Sequence, residues 1–264
     1  TAGRKGFTLI EISIVLVVIG LVTAGILLGR DLIRASELRA TVTQVEGMRT
    51  AVNAFKLKYN GLPGDLRDAT IHWPETVNGD GNGFISVTGS PDVDVDGQLE
   101  YEYLRAAQQL ALAGLIQGAY TGKVPDVAAN FYEVGTNVIP AKCCSRGGFV
   151  FWDNTTSVPK LLGAISATAF NNTKFLILGG IRNTNNLPAF NTAVINAVDA
   201  YAIDNKNDDG NPITGATLTL STTHPAGLVY VASYCTQIIA PGVANYALTN
   251  DFEPACSMYF MIEK

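Results

Sequence analysis

The stretch Arg4-Lys5-Gly6-Phe7-Thr8-Leu9-Ile10-Glu11 leads into an apolar run that extends over residues 12–28. Residues 7–28 are long enough to cross a hydrocarbon core of about 30 Å as an α-helix. The two cations before the run place the N-terminus on the cytoplasmic side by the positive-inside tendency. A secretory signal peptide starts in a similar way, but no small-residue cleavage site follows this run and the helical pattern continues beyond it. The stretch therefore predicts a membrane helix that continues into the rest of the protein.

This helix is predicted to continue to about Tyr59, which gives it a length of roughly 80 Å at about 1.5 Å per residue. Beyond residue 30 no proline interrupts it, and apolar residues recur at helical spacing. That stripe consists of Leu38, Val42, Val45, Val52, Phe55 and Tyr59. Asp31 with Arg34, and Glu46 with Arg49, are spaced to pair along the other face. The first half suits lipid or other apolar helices, and the second half suits packing against a sheet.

The rest of the chain, residues 61–264, is predicted to form a globular head, and the fold class is α+β. The turn-forming sequence Asn60-Gly61-Leu62-Pro63-Gly64-Asp65 ends the long helix. Two further helices are predicted at about 99–117 and 187–203. Strands are predicted at 148–152, 161–165, 174–178, 217–220, 228–234 and 258–262. These elements favour an antiparallel sheet laid on the exposed half of the long helix.

The sequence Gly6-Phe7-Thr8-Leu9-Ile10-Glu11 resembles the N-terminus of the type IV prepilin and type II secretion pseudopilin family. In that family a dedicated peptidase cuts between the glycine and the aromatic residue and methylates the new N-terminus. The resemblance implies that residues 1–6 are the end of a leader peptide. It makes residues 7–28 a transmembrane or filament-core segment, 29–60 an amphipathic continuation, and 61–264 a pilin-like head. Many members have a proline near the end of the membrane segment, where this chain has Leu28 and Gly29.

The function implied by the resemblance is structural. The chain would be a subunit of a type IV pilus-like or type II secretion pseudopilus filament, cleaved and N-methylated at Gly6-Phe7. Its partners would be copies of itself, other pilin-like subunits, the prepilin peptidase and an inner-membrane assembly platform. Before assembly it would cross the bacterial inner membrane once, with a cytoplasmic N-terminus and a periplasmic head. Afterwards it would lie in a periplasmic or extracellular filament.

Glu11 lies near the start of the predicted membrane helix. A carboxylate inside a membrane costs about 2.5 to 3.5 kcal/mol on insertion scales unless it finds a partner. Cleavage before Phe7 creates such a partner, a cationic α-amine. Glu11 of an incoming subunit is therefore expected to pair with the Phe7 amine of a neighbour during assembly, its charge remaining unpaired until then. A plain single-pass anchor with an incidental glutamate is the alternative.

Composition and motifs narrow the other function classes. The net charge is −5, whereas nucleic-acid binding requires a basic surface, so no nucleic acid is expected as a partner. There is no G-x-S-x-G elbow, no H-E-x-x-H zinc motif and no phosphate-binding glycine loop. We therefore expect no enzymatic activity and no required cofactor. A minor tip subunit that binds a surface, a secreted substrate or DNA is the second hypothesis, and a membrane-anchored periplasmic enzyme is the third.

Four cysteines, Cys143, Cys144, Cys235 and Cys256, match no C-x-x-C redox or zinc spacing. If the head is exported, disulfides are the expected use of these residues. We favour a bond between Cys235 and Cys256. The adjacent Cys143 and Cys144 would then form a vicinal bridge or remain free thiols. Four buried, reduced cysteines are the alternative.

Three stretches share the spacing Asx-x-Asx-x-Asx-Gly, and they begin at Asn78, Asp92 and Asn205. Alternating oxygen ligands followed by a glycine are how the first half of an EF-type loop wraps calcium. None of the three has the glutamate at position twelve, so each would need other ligands, such as Glu100 or Glu102 for the second loop. Ordinary solvated turns are the alternative. The candidate calcium ligands are Asp80, Asn82, Asp92, Asp94, Asp96, Asn205, Asn207 and Asp209.

Overall fold

The computed structural model describes residues 8–85, 92–93, 99–124, 132–153, 173–182, 189–221, 235–240, 243–249 and 254–263. One long helix, α1, occupies Leu9–Tyr59 and contains 51 residues. It passes through Leu28 and Gly29 without a break. Asn60 ends it in the left-handed conformation (φ 53°) and donates its backbone N–H to the carbonyl of Lys56. The predicted long helix is confirmed, although the terminating residue is Asn60 and not the glycine that follows it.

The head, residues 61–263, contains three shorter helices and ten strands among its described residues. The helices are α2 (Ala69–His72), α3 (Glu102–Leu112) and α4 (Ala197–Asn207). The strands are β1 (Asp92–Val93), β2 (Leu99–Glu100), β3 (Ile139–Pro140), β4 (Gly147–Asp153), β5 (Lys174–Arg182), β6 (Ala189–Thr192), β7 (Thr217–Ser221), β8 (Thr236–Ala240), β9 (Val243–Tyr246) and β10 (Cys256–Glu263).

The main sheet has six strands in the order β3-β4-β5-β10-β7, with β6 also paired to β5. Every strand pair in it is antiparallel. Two-stranded sheets are formed by β1 with β2 and by β8 with β9. A long N-terminal helix followed by a globular part with an antiparallel sheet is the α+β, pilin-like arrangement that the sequence predicted.

The core of the head lies between the second half of α1 and the main sheet. The helix contributes Val45, Met48, Val52 and Phe55, all buried, while Leu38, Val42 and Tyr59 pack at the margin of the same cluster. The sheet contributes large side chains from its central strands. They include Phe149, Phe151, Leu176, Leu178 and Phe260. Burying each such side chain stabilises the fold by about 1.5 to 3 kcal/mol, so the predicted apolar stripe anchors α1 to the head.

The predicted helix over 187–203 is wrong in its first part. Residues Ala189–Thr192 form β6, which pairs with β5. The helix begins only after Asn196, whose side chain accepts a hydrogen bond from the Asp199 backbone N–H at 2.7 Å. Phe190 and Thr192 favour an extended backbone, and the C-terminal end of β5 supplies a strand partner, so this part forms a strand. The helix then continues to Asn207, past the predicted end.

The predicted helix over 99–117 is shorter in the structure, where α3 covers Glu102–Leu112. Leu99–Glu100 is strand β2, and Gly114 follows the helix with a φ of 72°, a left-handed conformation that glycine adopts without steric cost. Predicted strands at 148–152, 174–178, 217–220 and 258–262 correspond to β4, β5, β7 and β10. Those predicted at 161–165 and 228–234 lie outside the described residues.

Candidate functional site

The first half of α1 is an exposed apolar surface. Every residue from Thr8 to Leu28 is solvent-exposed, and Leu9 and Leu21 have exposed fractions of 92% and 71%. Within the described part of the chain, α1 is the one helix that is long and apolar enough to cross a membrane, with a mean hydropathy of 2.7 over its most apolar window. Twenty helical residues span about 30 Å, the thickness of a hydrocarbon core. This segment therefore needs an apolar environment that the head does not supply.

Polar side chains in this segment are bonded to their own helix. The hydroxyl of Ser13 donates to the Ile10 carbonyl at 2.9 Å, and the hydroxyl of Thr23 donates to the Ile19 carbonyl at 2.9 Å. In a bilayer, an internal acceptor of this kind replaces the water that a hydroxyl would otherwise bind. Ser13 and Thr23 are therefore compatible with burial in lipid.

Glu11 takes part in a capping box at the start of α1. Its Oε2 accepts hydrogen bonds from the backbone N–H and from the hydroxyl of Thr8, both at 2.8 Å. The hydroxyl oxygen of Thr8 in turn accepts the Glu11 backbone N–H at 3.4 Å. The expectation that this carboxylate lacks any partner in a single subunit is therefore wrong for Oε2. Among the described residues Oε1 accepts no hydrogen bond, and Gly6 and Phe7 lie outside the described range.

Arg34 joins the exposed half of α1 to the head. Its Nε and Nη2 donate to Asp199 Oδ2 on α4, at 2.9 and 2.5 Å, and its Nη1 donates to the Cys143 carbonyl at 2.7 Å. The same Nη1 reaches Glu37 Oε2 at 3.2 Å. The sequence-based pairing of Arg34 with Asp31 is thus wrong, because a residue 165 positions away supplies the stronger acceptor.

Further polar contacts hold α1 against the head below this point. Gln44 donates to the Pro140 carbonyl at 2.8 Å, and the Arg49 Nε donates to the Met261 carbonyl at 2.9 Å. Arg49 also pairs with Glu46, as the sequence spacing predicted. Together with the buried stripe, these bonds make the packed half of α1 an integral part of the head. The exposed half is a continuation of the same helix.

Comparison with known families identifies this N-terminal segment. Residues 1–27 match the family model described as the Prokaryotic N-terminal methylation motif. The chain has the N-terminus of a prepilin. The resemblance to the prepilin and pseudopilin family is therefore confirmed. No curated protein and no solved structure matches this chain.

The motif has general consequences for this chain. It implies processing by a prepilin peptidase and assembly with other pilin subunits. It also indicates a structural, pilin-like protein. The exposed apolar half of α1 fits anchoring in a membrane before assembly. The motif explains how this N-terminal segment is processed, and the exposed apolar surface of the helix explains why it needs a membrane or other apolar helices around it.

All four cysteines of the chain are in disulfides. Cys235 is joined to Cys256, the pair favoured from the sequence, and this bond ties the start of β8 to the start of β10. Cys143 is joined to its neighbour Cys144, so of the two alternatives left open the structure contains the vicinal bridge. Cys235 and Cys256 are fully buried in the core of the head.

The first Asx-rich loop of the head is folded by hydrogen bonds to its own backbone. Asp80 accepts the backbone N–H of Asn82 at 2.9 Å, and Asn82 accepts that of Phe84 at 2.7 Å. Asp65 lies beside them and accepts the backbone N–H groups of Asn82 and Gly83 at 3.1 and 2.8 Å. The bonds of Asp80 and Asn82 are those of Asx turns, whereas Asp65 ties the loop to the residues that follow α1. The calcium assignment of Asp80 and Asn82 stays a prediction.

Two acids that the sequence analysis did not assign to this loop, Asp65 and Glu102, form an acidic group with Asp80. Glu102 was considered only for the second loop. Burial, together with the neighbouring Asp80, raises the pKa of Asp65 to about 6. Because Asp65 follows the end of α1 and Glu102 begins α3, only the packing of these elements could have brought them together.

The second Asx-rich loop can be placed only in part. Asp92 lies in β1, where its backbone pairs with that of Glu100 in β2. Asp94 and Asp96 lie outside the described residues. The calcium assignment for these three aspartates therefore stays a prediction.

The third Asx-rich stretch, residues 205–210, differs from a calcium loop because α4 runs through its first half. Asn205 is exposed on the helix, and the Asn207 side chain donates to the Thr217 hydroxyl at 2.6 Å. The acids that come together are Asp204, Asp208 and Asp209, and each offers one oxygen atom within 4.8 Å of the others. Helical spacing of four residues would have indicated the first two, had the helix been predicted to extend this far.

Asp204 is the most unusual member of this group. Its side chain is fully buried, and its Oδ2 accepts a hydrogen bond from the hydroxyl of Tyr246 at 2.8 Å. That hydroxyl also lies 2.7 Å from the hydroxyl of Thr219. Burial, reinforced by the charges of Asp209 and Asp208, raises the pKa of Asp204 to about 7. The cluster thus holds a buried carboxylate next to two further acids.

Proposed function

We propose that this prepilin is a structural subunit of a type IV pilus-like or type II secretion pseudopilus filament. In this proposal it is cleaved between Gly6 and Phe7 and assembles through α1. The observation that carries the proposal is the division of α1 into an exposed apolar half and a half built into the core of the head. A contiguous apolar surface of this extent is not left in water by soluble monomers. Lipid would cover it before assembly, and α1 helices of neighbouring subunits would cover it afterwards.

Because α1 is continuous, the position of its membrane segment determines the position of the head. Arg34, Gln44 and Arg49 fix its second half to α4, β3 and β10 through hydrogen bonds. Neighbouring subunits that pack their exposed halves therefore also place their heads at defined positions. The filament in this proposal has a core of helices and an outer layer of heads.

Glu11 supplies a specific polar contact for assembly. Apolar helices gain no hydrophobic driving force on leaving lipid for one another, so packing and polar contacts decide whether they associate. Oε2 of Glu11 is engaged by Thr8 within the subunit, whereas Oε1 accepts no hydrogen bond among the described residues. In this proposal the α-amine that cleavage creates on Phe7 of a neighbour binds Oε1. The capping box then orients the carboxylate before the partner arrives.

Replacing Glu11 by alanine tests the assembly step. Glu11→Ala should insert and be processed normally but yield far fewer filaments, because the charge pair is lost while the helix remains. Ser13→Ala is the matched control, since its hydroxyl is already bonded within the same helix. The measurement is the amount of subunit in sheared filaments from cells that contain prepilin peptidase, with mass spectrometry of the N-terminus. Equal filament yields from Glu11→Ala and Ser13→Ala would refute the pairing.

Replacing Gly6 tests the cleavage step independently. Gly6→Leu should leave the leader attached, because the peptidase needs an unencumbered backbone at that position. Mass spectrometry should then show no N-methylated phenylalanine at the N-terminus. A mature N-terminus in this variant would contradict the cleavage assignment. Filaments in which this chain is a rare component would favour the minor tip subunit over a major structural subunit.

A further inference from the structure

We propose that Asp204, Asp208 and Asp209 form a calcium site at the C-terminal end of α4. The three carboxylates converge there, and the Oδ1 atom of the fully buried Asp204 has no hydrogen-bond partner. The proposed site lies in the head, and its existence does not depend on the filament function. It replaces Asn205 and Asn207, the ligands predicted from the spacing alone, with Asp204 and Asp208.

The buried oxygen of Asp204 is the observation that calls for a ligand. Oδ2 of this residue accepts the Tyr246 hydroxyl, whereas Oδ1 is enclosed by protein and forms no hydrogen bond of normal geometry with the described residues. In the part of the chain that the structure describes, no lysine or arginine forms an ion pair with Asp204, Asp208 or Asp209. A buried carboxylate is costly unless it is paired, hydrogen-bonded or bound to a metal. Since the only one of these compensations described for Asp204 is the hydrogen bond to Oδ2, a cation at Oδ1 completes the site.

The distances between the three acids fit one ion. Calcium binds oxygen at about 2.3 to 2.6 Å, so two oxygens on opposite sides of the ion lie up to about 5 Å apart. One oxygen from each of the three acids lies within 4.8 Å of the other two. Asp208 uses Oδ2 to accept the Thr217 backbone N–H at 2.8 Å, which leaves Oδ1 for the ion. Asp209 accepts bonds from Asn211 and Thr214, and each of its oxygens retains a second lone pair.

The donor chemistry selects calcium among the common divalent ions. All three ligands are carboxylates, and the group contains no histidine or cysteine, the residues that zinc and copper prefer. One ligand is fixed on a helix and two lie at its end and in the following turn, an irregular arrangement that calcium tolerates. Magnesium requires a near-ideal octahedron and keeps several of its waters. A bound calcium ion would tie the loop that follows α4 to the helix and, through Tyr246, to β9.

The other acidic group, formed by Asp65, Asp80 and Glu102, differs because the carboxylate oxygens of its buried Asp65 accept hydrogen bonds. Both carboxylate oxygens of Asp65 accept backbone N–H groups of the same loop, from Asn82 and Gly83. Asp80 is exposed and can be solvated. No buried oxygen of Asp65 or Asp80 is left without a partner. Asp80 therefore provides a matched control position, an acid in a similar cluster that calcium binding does not require.

The experiment measures calcium binding to the full-length protein in detergent after treatment with a chelator. Titration calorimetry should give one site per chain, and calcium should raise the melting temperature. Asp204→Asn and Asp209→Asn should each weaken calcium binding by about tenfold or more, whereas Asp80→Asn should bind like the wild type. Asp209 is exposed, so its variant folds even if Asp204→Asn does not. Terbium bound in place of calcium should also luminesce through Tyr246, and Tyr246→Phe should reduce that signal.

Three results would overturn the proposal. The first is the absence of calcium binding to the wild-type protein. The second is equal affinity in the wild type and in Asp209→Asn. The third is a loss of binding in Asp80→Asn alone, which would move the site to the other acidic group. Stronger binding of magnesium than of calcium would overturn the choice of ion.

Discussion

Replacing Arg34 by methionine should loosen the junction between the exposed and the packed halves of α1. Methionine keeps the apolar stem and the helix propensity of arginine but removes all its donors. Arg34 donates two hydrogen bonds to Asp199 and one to the Cys143 carbonyl. The variant leaves Asp199, whose side chain is only 12% exposed, without its cation. The helix should therefore detach from α4 more often than in the wild type.

The size of this effect follows from the exposure of the groups. A hydrogen bond to a charged group contributes about 1.5 to 3 kcal/mol when it is buried. Arg34 is 35% exposed, and its pair with the more exposed Glu37 contributes little. We therefore expect a local loss of about 2 kcal/mol, which raises the equilibrium constant for local opening about 30-fold. The core from Val45 to Phe55 is untouched, so global stability should change less than local stability.

Hydrogen exchange on the full-length protein in detergent measures this local opening. Peptides that cover residues 34–42 should exchange about 30-fold faster in Arg34→Met, while peptides from residues 45–55 should change little. Arg30→Met is the control, because Arg30 is exposed on the same helix and no hydrogen bond is described for it. Arg34→Lys should be intermediate, since one ammonium cannot reproduce the planar fork. Equal exchange in Arg34→Met and Arg30→Met would refute the role of Arg34 as the junction.

Two further predictions concern the stability of the head. The double variant Cys235→Ala/Cys256→Ala should lower the free energy of unfolding by about 3 kcal/mol, because the lost bond joins residues 21 positions apart and constrains the unfolded chain. The bond between Cys143 and Cys144 joins adjacent residues, so Cys143→Ala/Cys144→Ala should change the free energy of unfolding far less. Guanidinium unfolding checks both, and equal losses would contradict the loop argument. Asp65, whose folded pKa is raised to about 6, adds stability at low pH that is lost as the pH rises through about 6. Asp204, whose folded pKa is raised to about 7, adds a second pH dependence over the same range. Asp65→Asn should therefore reduce the pH dependence of stability without abolishing it, and Asp80→Asn should reduce it less, as measured by urea unfolding at pH 5 and 7.5 in the presence of a chelator. An unchanged pH dependence in Asp65→Asn would refute the contribution of Asp65.

Features that depend on local pattern could be predicted from the sequence. The extent of α1 follows from the absence of proline and from apolar residues at helical spacing, and both persist to Tyr59. The strands β4, β5, β7 and β10 follow from short apolar runs between turn residues. Such signals predict an element wherever its own residues fit only one conformation. They failed over the first part of residues 187–203, where Phe190 and Thr192 favour an extended backbone and the C-terminal end of β5 supplies a strand partner.

The sites of the head depended on contacts between distant parts of the chain. Asp204 and Tyr246 are 42 residues apart, and Arg34 and Asp199 are 165 apart, so no spacing rule connects them. The Asx-rich spacing pointed to the stretch at the end of α4, but the acids that come together there are Asp204, Asp208 and Asp209, of which the spacing had named only Asp209. A helix turns its side chains by about 100° per residue, so alternate residues do not share a face, whereas residues four apart do.

The sequence by itself determined that this protein has a prepilin N-terminus and a membrane-length helix continued by an amphipathic one. These properties reside in consecutive residues, and neither requires knowledge of what packs against them. Only the tertiary structure decided which acids meet, which carboxylate oxygen stays without a donor, and where α1 is fixed to the head. Those outcomes depend on how helices and strands pack, because burial and partners are set by neighbours that are remote in sequence.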